Sequence, residues 1–122
     1  MVRRYVPERG DIVWLEFNPQ AEHEQSGHRP ALVVSPKAYN QKVGLALFCP
    51  ITSYVKGYPF EVVLPEKHKV SGAILSDQVK SLDWQVRKAK RIAYVPTNVL
   101  EDVLAKIFTI LGFEFHSGLA ER

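Results

Sequence analysis

The feature that most constrains this chain is a series of short runs rich in β-branched and aromatic residues, separated by turn formers. They are DIVWLEF (11–17), PALVVSP (30–36), LALFCPIT (45–52), PFEVVL (59–64), GAILSDQV (72–79) and RIAYVP (91–96). Runs of this length and composition read as strands, and their spacing suits a small barrel or sandwich. LALFCPI is apolar on both sides and so predicts a strand covered on both faces. PFEVVL instead sets Phe60 and Val62 on one side and Glu61 and Val63 on the other. A sheet built from both kinds of strand must curl or be covered.

After YVPT the period changes. Leu100, Val103, Leu104, Ile107 and Leu111 recur at helical spacing, with Asn98 and Glu101 as a capping pair and Gly112 as a stop. This predicts an amphipathic C-terminal helix. Pro36 to Lys42 predicts one short helical turn, and no internal repeat or low-complexity tract interrupts the pattern.

At 122 residues and 46% hydrophobic content, the chain suits one compact domain, 1–122. No apolar stretch approaches the ~20 residues of a membrane helix, and MVRRYVPERGD lacks the apolar segment of a secretory signal, so the expected setting is cytosolic, with no membrane. The single cysteine, Cys49, lies within LALFCPI and reads as a small buried apolar residue, with a redox or nucleophilic role as the lesser reading. Lys and Arg outnumber Asp and Glu by 16 to 13. The basic clusters, including Arg3 with Arg4 and VRKAKR (86–91), suit either a phosphate-tracking surface or solvated faces.

Polar residues without an evident packing role gather in two connections, EHEQSGHRPALVVSP (22–36) and TSYVKGYPF (52–60). Loops on a rigid scaffold commonly carry binding groups, although loops are also polar simply because they are wet. His23 and His28 lack the spacing that fixes metal geometry, so no metal site and no cofactor is expected. No nucleophile elbow, Walker sequence or dinucleotide fingerprint occurs. Acid, base and guanidinium chemistry remains, the set that binds a phosphodiester and moves a proton beside it.

Four segments in order, RYVPERGDIVWLEFNP, EQSGHRPALVVSP, PITSYVKGYPFEV and LSDQVKSLDW, resemble the MazF/PemK family of toxin endoribonucleases from about Arg4 to Gly112. The resemblance implies a mainly β (α+β) fold, a small SH3-like β-barrel with a C-terminal helix. It further implies a homodimer that cleaves single-stranded RNA without a metal and is neutralised by an acidic MazE-like antitoxin, the complex binding its own operator DNA. Arg29 matches the family's catalytic arginine; its rival role is an ion pair with Glu22 or Glu24. Thr52 matches the threonine that assists at the same phosphate, and by itself reads as a strand-end cap.

Glu24 matches a glutamate that takes a proton or orients the guanidinium. His28 is either a proton shuttle or a structural hydrogen-bonder. Lys56, Gln78 and Lys80 are expected to bind RNA together with Asn18, Gln25 and a stacking Phe17, while Trp14 and Trp84 go to packing or the dimer interface. Two other classes compete. A gyrase-poisoning toxin of the same barrel type would act through its C-terminal end, where HSGLAER lacks an apolar anchor. A non-catalytic RNA-binding barrel would keep the basic groove but have no need of Arg29 with Thr52.

Overall fold

The computed structural model describes residues 4–16 and 28–112. Seven strands and two helices follow in the order β1 (Asp11–Glu16), β2 (His28–Val33), α1 (Lys37–Val43), β3 (Leu45–Thr52), β4 (Glu61–Val63), β5 (Ala73–Leu75), β6 (Lys80–Asp83), β7 (Lys90–Tyr94) and α2 (Thr97–Ile110). All pairings are antiparallel, in the path β4-β5-β3-β2-β1-β7, with β6 also on β3. The mainly β architecture with one long C-terminal helix is the one expected. Among the described residues the ladder is not closed, and β4 and β7 form its two ends.

Strand alternation explains why the long runs are apolar throughout. One face carries Ile12, Leu32, Cys49 and Ile51 into a core completed by Val62, Ile74 and, from α2, Val99 and Val103. The opposite face carries Val13, Leu15, Ala31, Val33, Ala46 and Phe48 against Trp84. With both faces covered, the central stretches of β1 to β3 are buried on both sides, as LALFCPI predicted, and Cys49 lies fully buried. In β4, Val62 is buried and Val63 exposed, following the expected alternation.

Buried polar groups knit the second face together. Asn40 is completely enclosed; its amide donates to the carbonyls of Pro7 (2.8 Å) and Ser35 (3.0 Å), and its own carbonyl accepts the Trp84 indole N–H (3.0 Å). The α1 turn is thereby joined to the N-terminal segment and to the residue after β6, with every donor matched. Trp84 is a packing residue, as expected, whereas Trp14 is 41% exposed and stacks on His28 with ring centroids 6.1 Å apart.

Two expectations are corrected. GAILSDQV is not one strand: β5 ends at Leu75, Gln78 N–H returns to the Leu75 carbonyl (3.1 Å), and β6 begins at Lys80. β3 changes partner there, so that three steps from Phe48 to Ile51 face six from Ile74 to Lys80. The polar Ser-Asp-Gln sequence supplies the turn. The Asn98–Glu101 capping pair does not form either. Pro96 takes the N-cap position with no side-chain cap bond, its carbonyl accepting the N–H groups of Val99 and Leu100 (both 3.0 Å), which starts the helix before Asn98. Gly112, at φ +74°, does stop it. Among the described residues no helix is long and apolar enough to cross a membrane.

Candidate functional site

The β2–β3 ladder pairs Ala31 with Pro50, and the same register carried two steps outward sets Arg29 opposite Thr52. Both lie on the face that carries Leu15, Ala31 and Phe48, because side chains alternate and Arg29 pairs with Leu15 of β1. Beyond the edge of the core this face turns from apolar to polar, and Arg29 and Thr52 are its first polar residues. Across β3, Phe48 pairs with Lys80, so Lys80 shares that face.

Three adjoining depressions meet at Thr52. The largest, about 410 Å³, is lined by Arg29, Thr52, Leu75, Gln78 and Lys80 with Pro50 and Ile51, with no carboxylate among the described residues that line it. A second, about 270 Å³, places His28, Ser53 and Ser71 around the same Arg29 and Thr52. The third, about 340 Å³, extends from Thr52 and Gln78 to Tyr54, Lys56, Tyr58 and Asp77. Arg29, Thr52, Gln78 and Lys80 are therefore brought together, and Lys56 lies one depression away.

Local bonding prepares these groups. Thr52 Oγ1 accepts the Tyr54 N–H at 3.1 Å, so the hydroxyl proton is available to a bound group. Gly72 backs the Thr52 peptide closely; a Cβ there would lie 2.1 Å from the Thr52 carbonyl oxygen, and its φ of +121° excludes most side chains. Arg29 is exposed and makes no ion pair among the described residues. A guanidinium and a hydroxyl donor facing one concave surface with a lysine nearby suit a phosphodiester, which takes a bidentate contact from arginine.

His28 is placed differently. It alternates to the other face, stacks on Trp14, and its Nε2 sits 3.2 Å from the Glu16 carboxylate, which Lys88 also approaches at 3.8 Å. The structural alternative for His28 has the better geometry. Glu24, Phe17, Asn18, Gln25 and the rival partner Glu22 lie outside the described residues. Among the described residues, no group of three or more His, Cys, Asp or Glu side chains is placed to hold a metal ion.

Sequence reasoning missed Tyr58 and Asp77. The Tyr58 hydroxyl donates to Asp77 at 2.7 Å, and that bond, with the charge of Asp77, holds the phenol above the usual tyrosine range. Nineteen positions separate the two, and no local pattern links them. The nearest signal was Gln78, adjacent to Asp77 in the turn that replaced a continuous strand.

Comparison with known proteins matches residues 8–111 to the PemK-like, MazF-like toxin of type II toxin-antitoxin systems. The endoribonuclease toxin MazF of Escherichia coli (strain K12) is 47% identical over 112 residues, covering 92% of this chain and 100% of that protein. MazF (Form-I) from Deinococcus radiodurans superposes with a TM-score of 0.81 at 54% identity, over 90% of this chain and 100% of that one. The MazE-MazF (Form-II) structure from the same organism gives 0.82 at 48%, over 91% and 100%. With a family match across the whole sheet and α2, and close relatives aligned over their full length, the chain belongs to the PemK-like, MazF-like toxins of type II toxin-antitoxin systems.

Proposed function

We propose that this protein is a sequence-specific endoribonuclease toxin that cuts single-stranded RNA by attack of the ribose 2′-hydroxyl on the adjacent phosphate. The observation that carries the reading is that Arg29 and Thr52 line one depression together with Lys80 and Gln78, with no carboxylate among its described lining residues. The E. coli relative bears the name endoribonuclease toxin, which supports the same activity here.

In this mechanism the 2′-oxygen bonds to phosphorus as the bond to the 5′-oxygen breaks, the 2′-hydroxyl proton passing to solvent. Arg29 neutralises the charge that builds on the phosphoryl oxygens, and Thr52 donates its free hydroxyl proton toward the phosphate or the departing oxygen. The products are a 2′,3′-cyclic phosphate and a 5′-hydroxyl. Intramolecular attack supplies an already oriented nucleophile, and the guanidinium brings the positive charge that a metal brings elsewhere. Gln78, Lys80 and Lys56 hold the flanking RNA.

The whole chain, 1–122, serves as a single domain and works in the cytosol. It pairs as a homodimer: β4 and β7 are sheet ends, and α2 finishes on the exposed Ile110 and Leu111. A chain at 48% identity has been solved as MazE-MazF, and a basic toxin dimer suits an acidic antitoxin segment that folds on binding, the complex binding its operator DNA. Light scattering at micromolar concentration should give twice the chain mass; a monomer there contradicts the pairing. Incubating the pure protein with total RNA in EDTA tests the activity. Discrete cuts are expected, whereas retention without cuts identifies an RNA-binding barrel, and neither result turns attention to gyrase.

A further inference from the structure

Arg29 and Thr52 stand between two depressions instead of at the bottom of one. Both line the depression that holds Gln78 and Lys80, and both line the one that holds His28, Ser53 and Ser71. A phosphate bound by the pair therefore has a separate wall on either side, one for the chain that leads to it and one for the chain that leads away. Breaking the bond between the walls does not of itself release either half.

Neither wall is furnished to activate water. No carboxylate occurs among the described residues lining either depression. The imidazole of His28 stacks on Trp14 and meets the Glu16 carboxylate at 3.2 Å. Glu61 and Asp77 lie in the third depression, where Glu61 accepts the N–H groups of Lys56 and Gly57 (both 3.1 Å) and Asp77 accepts the Tyr58 hydroxyl (2.7 Å). A cyclic phosphate left at Arg29 thus meets no described base placed to deprotonate water, whereas the 5′-hydroxyl of the other half is already beside it. A nucleophile held in place has a large advantage over one arriving from solution.

We infer that this site also joins RNA ends, transferring the 5′-hydroxyl of one strand onto the 2′,3′-cyclic phosphate of another. The inference rests on the endoribonuclease reading and goes beyond it, adding a ligase activity whose substrates are that reading's products. In the joining step the 5′-oxygen bonds to phosphorus and the bond from phosphorus to the 2′-oxygen breaks. The 5′-hydroxyl gives up its proton, the 2′-oxygen takes one from solvent, and a 3′,5′ linkage is restored. One phosphodiester replaces another, so no nucleotide or other co-reactant is consumed. Arg29 neutralises the same charged transition state in both directions, and the Thr52 hydroxyl that serves the departing 5′-oxygen in cutting serves the attacking one in joining.

The test maps one wild-type cut in a defined RNA, then supplies the two purified halves at about millimolar concentration in the cold, which offsets the cost of bringing two strands together. A label on the half with the 5′-hydroxyl should appear in full-length RNA, and fresh enzyme should cut that RNA again at the junction. A half ending in a linear 3′-phosphate should stay unjoined, because it has no cyclic bond to open. A half beginning with a 5′-phosphate should stay unjoined as well, because it lacks the nucleophile. Arg29→Ala, its fold checked by a thermal melt, should slow joining and cutting by the same factor, about a hundredfold, since one transition state serves both. A wild type that cuts but joins nothing, or that only opens the cyclic end to a 3′-phosphate, overturns the inference and leaves the nuclease reading intact. So does joining of the 5′-phosphate half, or joining that survives Arg29→Ala undiminished. A wild type that cuts no RNA overturns the nuclease reading itself, and the inference with it.

Discussion

Arg29 shows how a strand position becomes a chemical one. Its neighbours on the same face, Leu15 and Ala31, are completely buried, yet Arg29 lies past the core edge and spends its charge on no described carboxylate. Removing it should therefore affect chemistry and not folding. Arg29→Ala is expected to slow single-turnover RNA cleavage by about a hundredfold or more, with unfolding free energy unchanged within about 0.5 kcal/mol. Arg29→Lys should recover only part of the rate, since an ammonium cannot make the bidentate contact. Full activity in Arg29→Lys, or a large stability loss in Arg29→Ala, contradicts the assignment. Cys49 has no such role: burial, with the charge of Asp77 second, pushes its thiol up to about 12, leaving almost no thiolate at neutral pH.

At the scale of elements, β3 is the hub, pairing with β2 along one edge and with β5 and then β6 along the other. Its end at Thr52 depends on Gly72, which follows the β4–β5 loop and packs directly on the Thr52 peptide. Gly72→Ala combines a forbidden φ with a backbone clash and should destabilise the fold by about 3 kcal/mol, while lowering cleavage in whatever fraction remains folded. Denaturant unfolding with activity per folded molecule measures both, and a neutral Gly72→Ala shows that Thr52 is not held from this side. β3 was legible from sequence because a run apolar on both sides, bounded by Gly44 and Ser53, has few alternatives. The break between β5 and β6 was not, since apolar residues flank the polar turn and the three-residue surplus appears only once β3 supplies a partner. Thr52 was found through family resemblance alone; the register that sets it opposite Arg29 is a property of two strands, and no local pattern encodes it.

For the molecule as a whole, one histidine links the two ends of the open ladder across the core. His68, in the loop after β4, accepts the Val70 N–H on Nδ1 (2.9 Å) and reaches the Tyr94 carbonyl of β7 with Nε2 (2.8 Å). A carbonyl only accepts, so Nε2 carries the proton. This clasp joins the β4–β5 hairpin to the far end of the sheet. His68→Ala should lower stability by about 1–2 kcal/mol and speed amide exchange in β7 more than in β2; equal exchange in both strands means that the clasp carries no load. With the sheet so held, Arg29 and Thr52 line one depression, and in the proposed mechanism the chemistry reduces to placing and neutralising a phosphate whose nucleophile the RNA already contains. The direct measurement is cleavage of an RNA carrying one 2′-deoxyribose on the 5′ side of the scissile bond, with binding followed at low salt. The substituted RNA should bind nearly as well as the parent and remain uncut, while the parent yields a 2′,3′-cyclic phosphate and a 5′-hydroxyl. Cleavage of the substituted RNA at that bond contradicts 2′-hydroxyl attack and requires an external water.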